Sequence, residues 1–396
     1  MNVPRTLPEV LAPLPDRHFL SQYLGKQFLY VKGSPGKFAG LLPWSNLNEI
    51  LEHHDLDVPR LRLVREGKAI PAESFITRRG RSRPRLRAAD LTAHVRDGAT
   101  LILDSIDEIQ PPITDLAEQL EQSFRTRVQV NMYAGWRTSR GFDLHWDGHD
   151  VLILQIAGRK KWGIYGFTRE HPLPGDKDLA KTPPREPVWE GLLEEGDLLY
   201  IPRGCWHVAV PLDEPTLHLT VGLHHATGAD FMEWFAGRVR SSSIVRQDLP
   251  RLGSPEERRE HLDRMRAAIL ESWSPALLDD YFEYRDRRAS VRPHFAFPAS
   301  ASRVRLPDVD RGLSVKWMVS QPIVLDETAV RLTGNGREWT FAAAAGPLLQ
   351  TLERRGACTM DDLCSVSGIP PEVARTLVSE LLDAGLVSLA HASEME

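Results

Sequence analysis

Three side chains in this sequence could share one metal ion. His145 and Asp147 stand two residues apart in Gly141-Phe142-Asp143-Leu144-His145-Trp146-Asp147, and His207 ends the run Gly196-Asp197-Leu198-Leu199-Tyr200-Ile201-Pro202-Arg203-Gly204-Cys205-Trp206-His207. Side chains two apart on a strand point to the same face, so His145 and Asp147 can reach one ion while His207 arrives from elsewhere in the barrel. Two imidazoles and one carboxylate can occupy one face of an octahedral Fe(II), leaving three positions open for a cosubstrate and dioxygen. A His-x-Asp pair alone is weak evidence, because such spacings occur by chance in many strands. A distal histidine embedded in the Gly-Asp-Leu-Leu-Tyr-Ile-Pro-Arg-Gly segment makes the set specific.

The surrounding pattern supplies strands to hold these groups. Val151-Leu152-Ile153-Leu154-Gln155-Ile156 is an apolar strand, Ala157-Gly158 a turn, and Lys160-Lys161-Trp162-Gly163-Ile164-Tyr165 a returning strand. Pro202 and Gly204 suit the second and fourth positions of a type I turn, which predicts a hairpin that brings His207 back. His149 shares the parity of His145 and Asp147 and is read as lining a cleft or meeting solvent. His218, His224 and His225 are read as barrel or surface histidines, with a functional part as the alternative for His218, and Cys205 as a small buried hydrophobe rather than a redox group.

The stretches Asn131-Met132-Tyr133, 141–151 and 154–162 resemble the JmjC-type oxygenases of the cupin superfamily, with the ribosomal oxygenases as the nearest branch. The resemblance runs over nearly the whole chain and is specific between about residues 95 and 225. It implies a mixed, mainly β core: a double-stranded β-helix (the cupin/JmjC jelly roll), followed by a helical dimerisation segment and a C-terminal winged helix. It implies Fe(II), with 2-oxoglutarate and O2 as cosubstrates, and hydroxylation of ribosomal protein side chains. Residue by residue, it implies His145, Asp147 and His207 as iron ligands and Lys160, fifteen residues after His145, as the cation that pairs with the distal carboxylate of 2-oxoglutarate. A buried ammonium and a dicarboxylate compensate each other's charge. Arg159 and Lys161 flank Lys160, so a slip of one residue would turn the wrong cation inward. Asn131 and Tyr133 match the cosubstrate-side Asn-x-Tyr, and Thr220 a further polar contact. The bulky, basic segment 134–140 departs from the proline-containing loop of the family, which puts a ribosomal substrate in question.

Composition bounds the rest. A chain of 396 residues is too long for one core, so two or three domains are expected. The division expected is an oxygenase domain with an N-terminal α/β elaboration at 1–226, a helical dimerisation segment at 227–300 and a winged helix at 301–396. Three cysteines, an odd and sparse set, argue against a disulfide framework. With no signal pattern and no membrane-length apolar stretch, a cytoplasmic protein without membrane contact is expected. The net charge of -5 gives no global field for nucleic acid.

Along the chain, 16–20 begins a helix-like pattern, 27–31 reads as a strand and 115–121 is amphipathic. Arg78, Arg79, Arg81, Arg83, Arg85 and Arg87 form a basic tract, either a solvated loop or a docking patch for an acidic or RNA-associated substrate. From 229 to 288 the pattern is helical, with Ser274-Pro275 as a helix start. Trp273, Leu277, Leu278, Tyr281 and Phe282 either pack on the barrel or form a two-fold interface, and we favour the homodimer. Residues 292–311 read as a linker. Strands near 315–325 and 329–332, helices at 341–355, 360–367 and 371–386, and a strand at 387–390 complete a winged-helix pattern. Residues 341–396 hold three arginines against eight carboxylates, a net -5, the wrong sign for phosphate, so no direct DNA binding is expected.

The function read from these residues is an Fe(II)- and 2-oxoglutarate-dependent dioxygenase hydroxylating a side chain of a protein, a ribosomal one among the candidates, or of a peptide. The competing readings are a tailoring hydroxylase of a small natural-product peptide, an N-demethylase, and a non-enzymatic cupin/winged-helix transcription regulator.

Overall fold

The structure, a computed structural model, describes residues 3–78, 83–173, 176, 182–289, 291–295, 313–319, 321–334 and 336–391. It divides into two compact units, Met1–His225 and Ala226–Glu396. Arg79, Arg81 and most of the 292–311 linker lie outside the described residues.

In the first unit the elements run α1 (Leu7–Leu11), α2 (Asp16–Gln22), β1 (Leu29–Val31), α3 (Trp44–His53), β2 (Leu61–Arg65), β3 (Lys68–Ala69), β4 (Ile76–Thr77), β5 (Arg85–Leu86), α4 (Ala88–Arg96), β6 (Thr100–Leu103) and α5 (Pro111–Phe124). Then come β7 (Arg127–Gly135), β8 (Asp150–Ala157), β9 (Lys160–Phe167), β10 (Trp189–Leu193), β11 (Leu198–Ile201), β12 (Cys205–Pro211) and β13 (Thr216–His224). An eight-stranded sheet has the order β1-β11-β8-β13-β7-β6-β2-β3, and a three-stranded sheet has the order β10-β9-β12. The core is mainly β, with helices packed against it.

Strand parity explains the layers. Leu152, Leu154 and Ile156 of β8 join Leu217, Leu219, Val221 and Leu223 of β13 and Val128, Val130 and Met132 of β7 in a core shared with Ile113, Leu116 and Leu120 of α5. The alternate residues Val151 and Ile153 face the other way, against Trp162 and Ile164 of β9, Leu193 of β10 and Cys205 of β12. Because β8 is buried on both faces, it reads as a continuous apolar run rather than an alternating one. Burying each such side chain contributes about 1.5–3 kcal/mol. On β7 the alternation is visible, with Gln129, Asn131 and Tyr133 half-buried on the inner face.

Two turn expectations are corrected. β11 and β12 do not form a hairpin; they belong to different sheets, and the turn between them carries the chain from one sheet to the other. That turn is closed by the Cys205 N–H donating to the Pro202 carbonyl at 3.1 Å, with Gly204 in its third position at φ +82. Proline therefore begins the turn, and the positive φ favours a type II geometry over type I. Gly158 makes another sheet-to-sheet crossing, between β8 and β9, at φ +63; a Cβ there would lie 2.0 Å from the Pro215 carbonyl oxygen.

The second unit opens with three helices, α6 (Gly228–Val239), α7 (Pro255–Ser272) and α8 (Leu277–Arg288). Phe231, Phe235 and Val239 pack on Leu277 and Tyr281. Ser274-Pro275 is not the cap of a helix: α8 starts at Leu277, whose N–H bonds the Ser274 carbonyl at 3.2 Å. The Ser-Pro start belongs to α7, where Ser254 and Glu257 form a capping box around Pro255. The later described elements are β14 (Leu313–Trp317), β15 (Val324–Leu325), β16 (Ala329–Gly334), β17 (Arg337–Ala342), α9 (Gly346–Arg355), β18 (Ala357–Thr359), α10 (Met360–Ser367), α11 (Pro371–Asp383) and β19 (Val387–His391). Residues 341–342, expected at a helix start, instead end a strand that pairs with β16.

Candidate metal centre

His145 and Asp147 lie in an irregular segment before β8 rather than on a strand. Position is set by one isolated antiparallel bridge to β12: the His145 N–H donates to the His207 carbonyl at 3.1 Å, and the His207 N–H to the His145 carbonyl at 2.8 Å. The bridge places the two imidazole centroids 4.4 Å apart. A further bond from the Gly204 N–H to the Asp147 carbonyl, at 3.0 Å, ties the turn after β11 to the same segment. Asp147 Oδ1 stands 4.0 Å from His145 Nε2, and Oδ2 stands 3.5 Å from His207 Nε2. One ligand atom from each of the three residues lies within 4.8 Å of the others, the one such group among the described residues.

The hydrogen bonds behind the rings define the tautomers. His145 Nδ1 meets the Asp143 carbonyl at 2.7 Å, and His207 Nδ1 meets the Cys205 carbonyl at 3.0 Å. A carbonyl only accepts, so each Nδ1 carries the proton and each Nε2 keeps its lone pair facing Asp147. Burial, then the neighbouring His145, pulls His207 down to about 4, which keeps its imidazole neutral. Ligand atoms about 2.1 Å from one ion stand roughly 3 Å apart on an octahedral face, so the observed spacings admit a single first-row metal. Two imidazoles and a carboxylate with an open outer side are the donor set suited to Fe(II).

The other sequence candidates fall on the inner walls. Lys160, the first residue of β9, is 6% exposed, whereas Arg159 and Lys161 point outward and pair with Glu214 (2.9 Å) and Glu190 (3.1 Å). Burial alone depresses the Lys160 ammonium to about 7. Asn131 accepts from the Ser105 N–H at 2.9 Å and sits opposite Thr220 in the β7–β13 register. The Tyr133 hydroxyl is pushed up, first by burial and then by the Asp147 carboxylate. Its ring stacks on His218 at 5.0 Å and 7°. His149 lies flat against the other end of β13, stacked on His224 at 4.7 Å and covering Gly222. Cys205 is buried and its thiol is pushed up to about 11, so it is inert packing.

Sequence reasoning missed Trp162. It shares β9 parity with Lys160, the one signal that pointed to it, and its ring lies 6.2 Å from His207 and 5.6 Å from His218. The segment 134–140 is held to the scaffold. Trp136 packs on Trp44, Arg137 bonds the Arg96 carbonyl (3.1 Å) and Asp213 (2.9 Å), and the Arg140 carbonyl accepts from the Glu66 N–H (2.8 Å). In the basic tract, Arg78 pairs with Asp57, Arg83 with Asp55 and Arg87 with Asp90. A cavity of about 530 Å³ lies at the β8–β9 turn, lined by Lys32, Trp44, Arg159, Glu194 and Glu214. It contains none of the triad, and its cations are matched by carboxylates: Lys32 with Glu194 and Arg159 with Glu214.

Residues 107–231 match the family described as JmjC domain. The chain is 27% identical over 358 residues to Ribosomal oxygenase 1 of Rattus norvegicus, covering 83% of this chain and 58% of that protein. It is 27% identical over 266 residues to the bifunctional lysine-specific demethylase and histidyl-hydroxylase NO66 of Drosophila persimilis, covering 63% of this chain and 36% of that protein. The chain thus spans less than two thirds of the length of these relatives. Among solved structures, YcfD, a ribosomal oxygenase from Escherichia coli, superimposes with TM-score 0.57 at 17% identity over 95% of this chain and 98% of that one. The same protein in complex with cobalt and 2-oxoglutarate gives TM-score 0.56 at 18% identity, over the same shares of both chains.

Proposed function

From the premise that this chain is a JmjC cupin, ribosomal-oxygenase-like in sequence and fold, we propose that it is an Fe(II)- and 2-oxoglutarate-dependent oxygenase that hydroxylates a side chain of a ribosomal protein. The observation that carries this reading is the convergence of His145, Asp147 and His207 with both Nε2 lone pairs turned to the carboxylate. When bound, Fe(II) with 2-oxoglutarate and O2 supplies oxidative decarboxylation coupled to hydroxylation of a substrate C–H bond.

The residues have distinct tasks. His145, Asp147 and His207 hold the metal, and their backbone bridge fixes the spacing before it arrives. Lys160 anchors the distal carboxylate of 2-oxoglutarate; its ammonium has no hydrogen bond or ion pair among the described residues, so an anion there relieves a buried charge. Asn131, Tyr133 and Thr220 shape the cosubstrate side of the inner wall. No general acid or base is required of the chain: it positions the carbon and excludes water.

Three finer assignments belong to the same proposal. The second unit comprises a helical dimerisation segment at 227–300 and a winged helix at 301–396. Exposed Met232, Leu262, Leu270, Leu278 and Phe282 on its helices support the homodimer. The acidic balance of the winged helix supports a protein contact rather than DNA binding. Among the described residues no helix is long and apolar enough to cross a membrane, and we place the protein in the cytoplasm.

Intact-protein mass spectrometry of ribosomal proteins from cells with and without the gene tests the substrate. One ribosomal protein lighter by a single oxygen in the deletion is the expected result. Unchanged ribosomal proteins, with 2-oxoglutarate turnover retained by the purified enzyme, would overturn the ribosomal substrate and leave a dedicated peptide.

A further inference from the structure

Among the buried polar groups of the first unit without a hydrogen bond, four lie together on β8, β9 and β13. The Lys160 ammonium meets only the Trp162 ring, 5.9 Å away. The Trp162 indole N–H, His218 Nδ1 and Gln155 Oε1 are buried with no hydrogen bond. Three of the four are immediate neighbours: the rings of Trp162 and His218 meet edge to face at 5.6 Å, and Lys160 is close enough to help hold His218 well below its usual range, after burial. His218 is 2% exposed, and its plane is fixed by stacking on Tyr133.

A buried donor left unsatisfied costs about 1–3 kcal/mol, and native cores hold few of them without a use. A cluster of a cation, an indole N–H and an imidazole has donors and no anion. A carboxylate is the chemical group that such a set binds most strongly, through charge-assisted hydrogen bonds. The location fits as well. Trp162 adjoins both the triad and the cation, its ring centroid 6.2 Å from that of His207 and 5.9 Å from the Lys160 ammonium, and along β9 it stands between Lys160 and Ile164, the residue opposite His207. An elongated molecule held at the metal by one end would carry its other end past Trp162 to Lys160 and His218.

Resting on the 2-oxoglutarate reading above, we propose that His218 and Trp162 are cosubstrate-binding residues. With Lys160 they form a three-donor seat for the distal carboxylate of a dicarboxylic 2-oxo acid. Lys160 supplies the charge, while the two rings supply directed N–H groups that a single flexible ammonium cannot.

The test is calorimetric titration of the Mn(II)-loaded protein with 2-oxoglutarate and with oxalate, which chelates the metal but is too short to reach Lys160. His218→Phe and Trp162→Phe keep a ring in place and remove the donor. Each should weaken 2-oxoglutarate about tenfold and leave oxalate and Mn(II) affinities unchanged. Unchanged 2-oxoglutarate affinity in both variants, with Lys160→Met still impaired, would overturn the three-donor seat and leave the oxygenase reading intact. Equal losses for both ligands would also overturn it, since they indicate general damage to the site. Wild-type protein that binds no 2-oxoglutarate would overturn both readings. Should His218→Phe fail to fold, the conservative Trp162→Phe decides the question alone.

Discussion

Two buried polar clusters in the first unit differ in one respect. Around Tyr200 every group has a partner: its hydroxyl donates to Asp150, accepts from the Gly25 N–H at 2.7 Å, and Asp150 also accepts from the Arg203 N–H at 2.9 Å. Around Lys160 the ammonium, an indole N–H and an imidazole nitrogen have none. Both clusters are desolvated, so the difference is not exposure. The first is complete as folded and holds the turn that precedes β12. The second is complete only with an anion, and it is the one that adjoins the triad. Burial with partners marks architecture; a cluster buried without them beside the triad points to a ligand.

The largest break in this contrast is at the metal itself. Asp147→Ala removes the one carboxylate of the proposed metal triad. Changes to groups outside the first coordination shell cost roughly 10–100-fold at metal sites, so loss of a ligand should exceed that. 2-Oxoglutarate turnover is expected to vanish while the thermal melt of the metal-free protein is preserved; turnover that survived would dismiss the triad. Next is Lys160→Met, which should weaken 2-oxoglutarate by about 100-fold, as loss of a buried charge pair does, without destabilising the metal-free fold. The same variant carries a pH signature. Lys160 titrates near 7 when folded, against about 10.4 unfolded. Below 7 both states are protonated and the burial penalty is fully felt; between 7 and about 10.4 the unfolded chain binds the extra proton, so stability rises with pH. Melting temperatures from pH 7 to 10 should climb in the wild type and lose that increment in Lys160→Met.

Tyr200→Phe gives the reverse outcome with a smaller magnitude. The ring and its edge contact with Phe19 at 4.9 Å remain, but Asp150 loses a donor, costing about 1–3 kcal/mol. Denaturant unfolding should register that loss while 2-oxoglutarate affinity stays at the wild-type value. An affinity loss matching that of the Lys160 variant would erase the distinction between the clusters.

How much of this was legible in the sequence follows from the range of each signal. His145 and Asp147 are two residues apart, so local spacing sufficed to pair them, whereas strand parity only sets Lys160 opposite in face to Arg159 and Lys161, and the family resemblance chose which of them turns inward. Asp147 does not owe its position to strand parity, since its segment is irregular and the one backbone bridge between His145 and His207 does the placing. The β11–β12 hairpin failed because a tight turn does not reveal sheet membership, which depends on partners such as β8 for one strand and β9 for the other. The helix cap failed for a local reason: Ser254 has Glu257 three residues on and Ser274 does not, so the capping box was readable. The unpartnered quartet was not, because an absent hydrogen bond has no sequence pattern.

The smallest predicted effects make the sharpest control. Arg159 and Lys161 are half-exposed and each is paired on the surface, with Glu214 and Glu190. Exposed pairs gain little over their solvated separate ions and are screened by salt. Arg159→Ala and Lys161→Ala should therefore move the melting temperature by about 2 °C or less and leave 2-oxoglutarate binding unchanged. Three consecutive cations thus make opposite predictions on the strength of one alternation in β9. If calorimetry found the affinity loss at Arg159 or Lys161 instead of Lys160, the inward register of β9 would be wrong, and the seat built on Trp162 and His218 would fall with it.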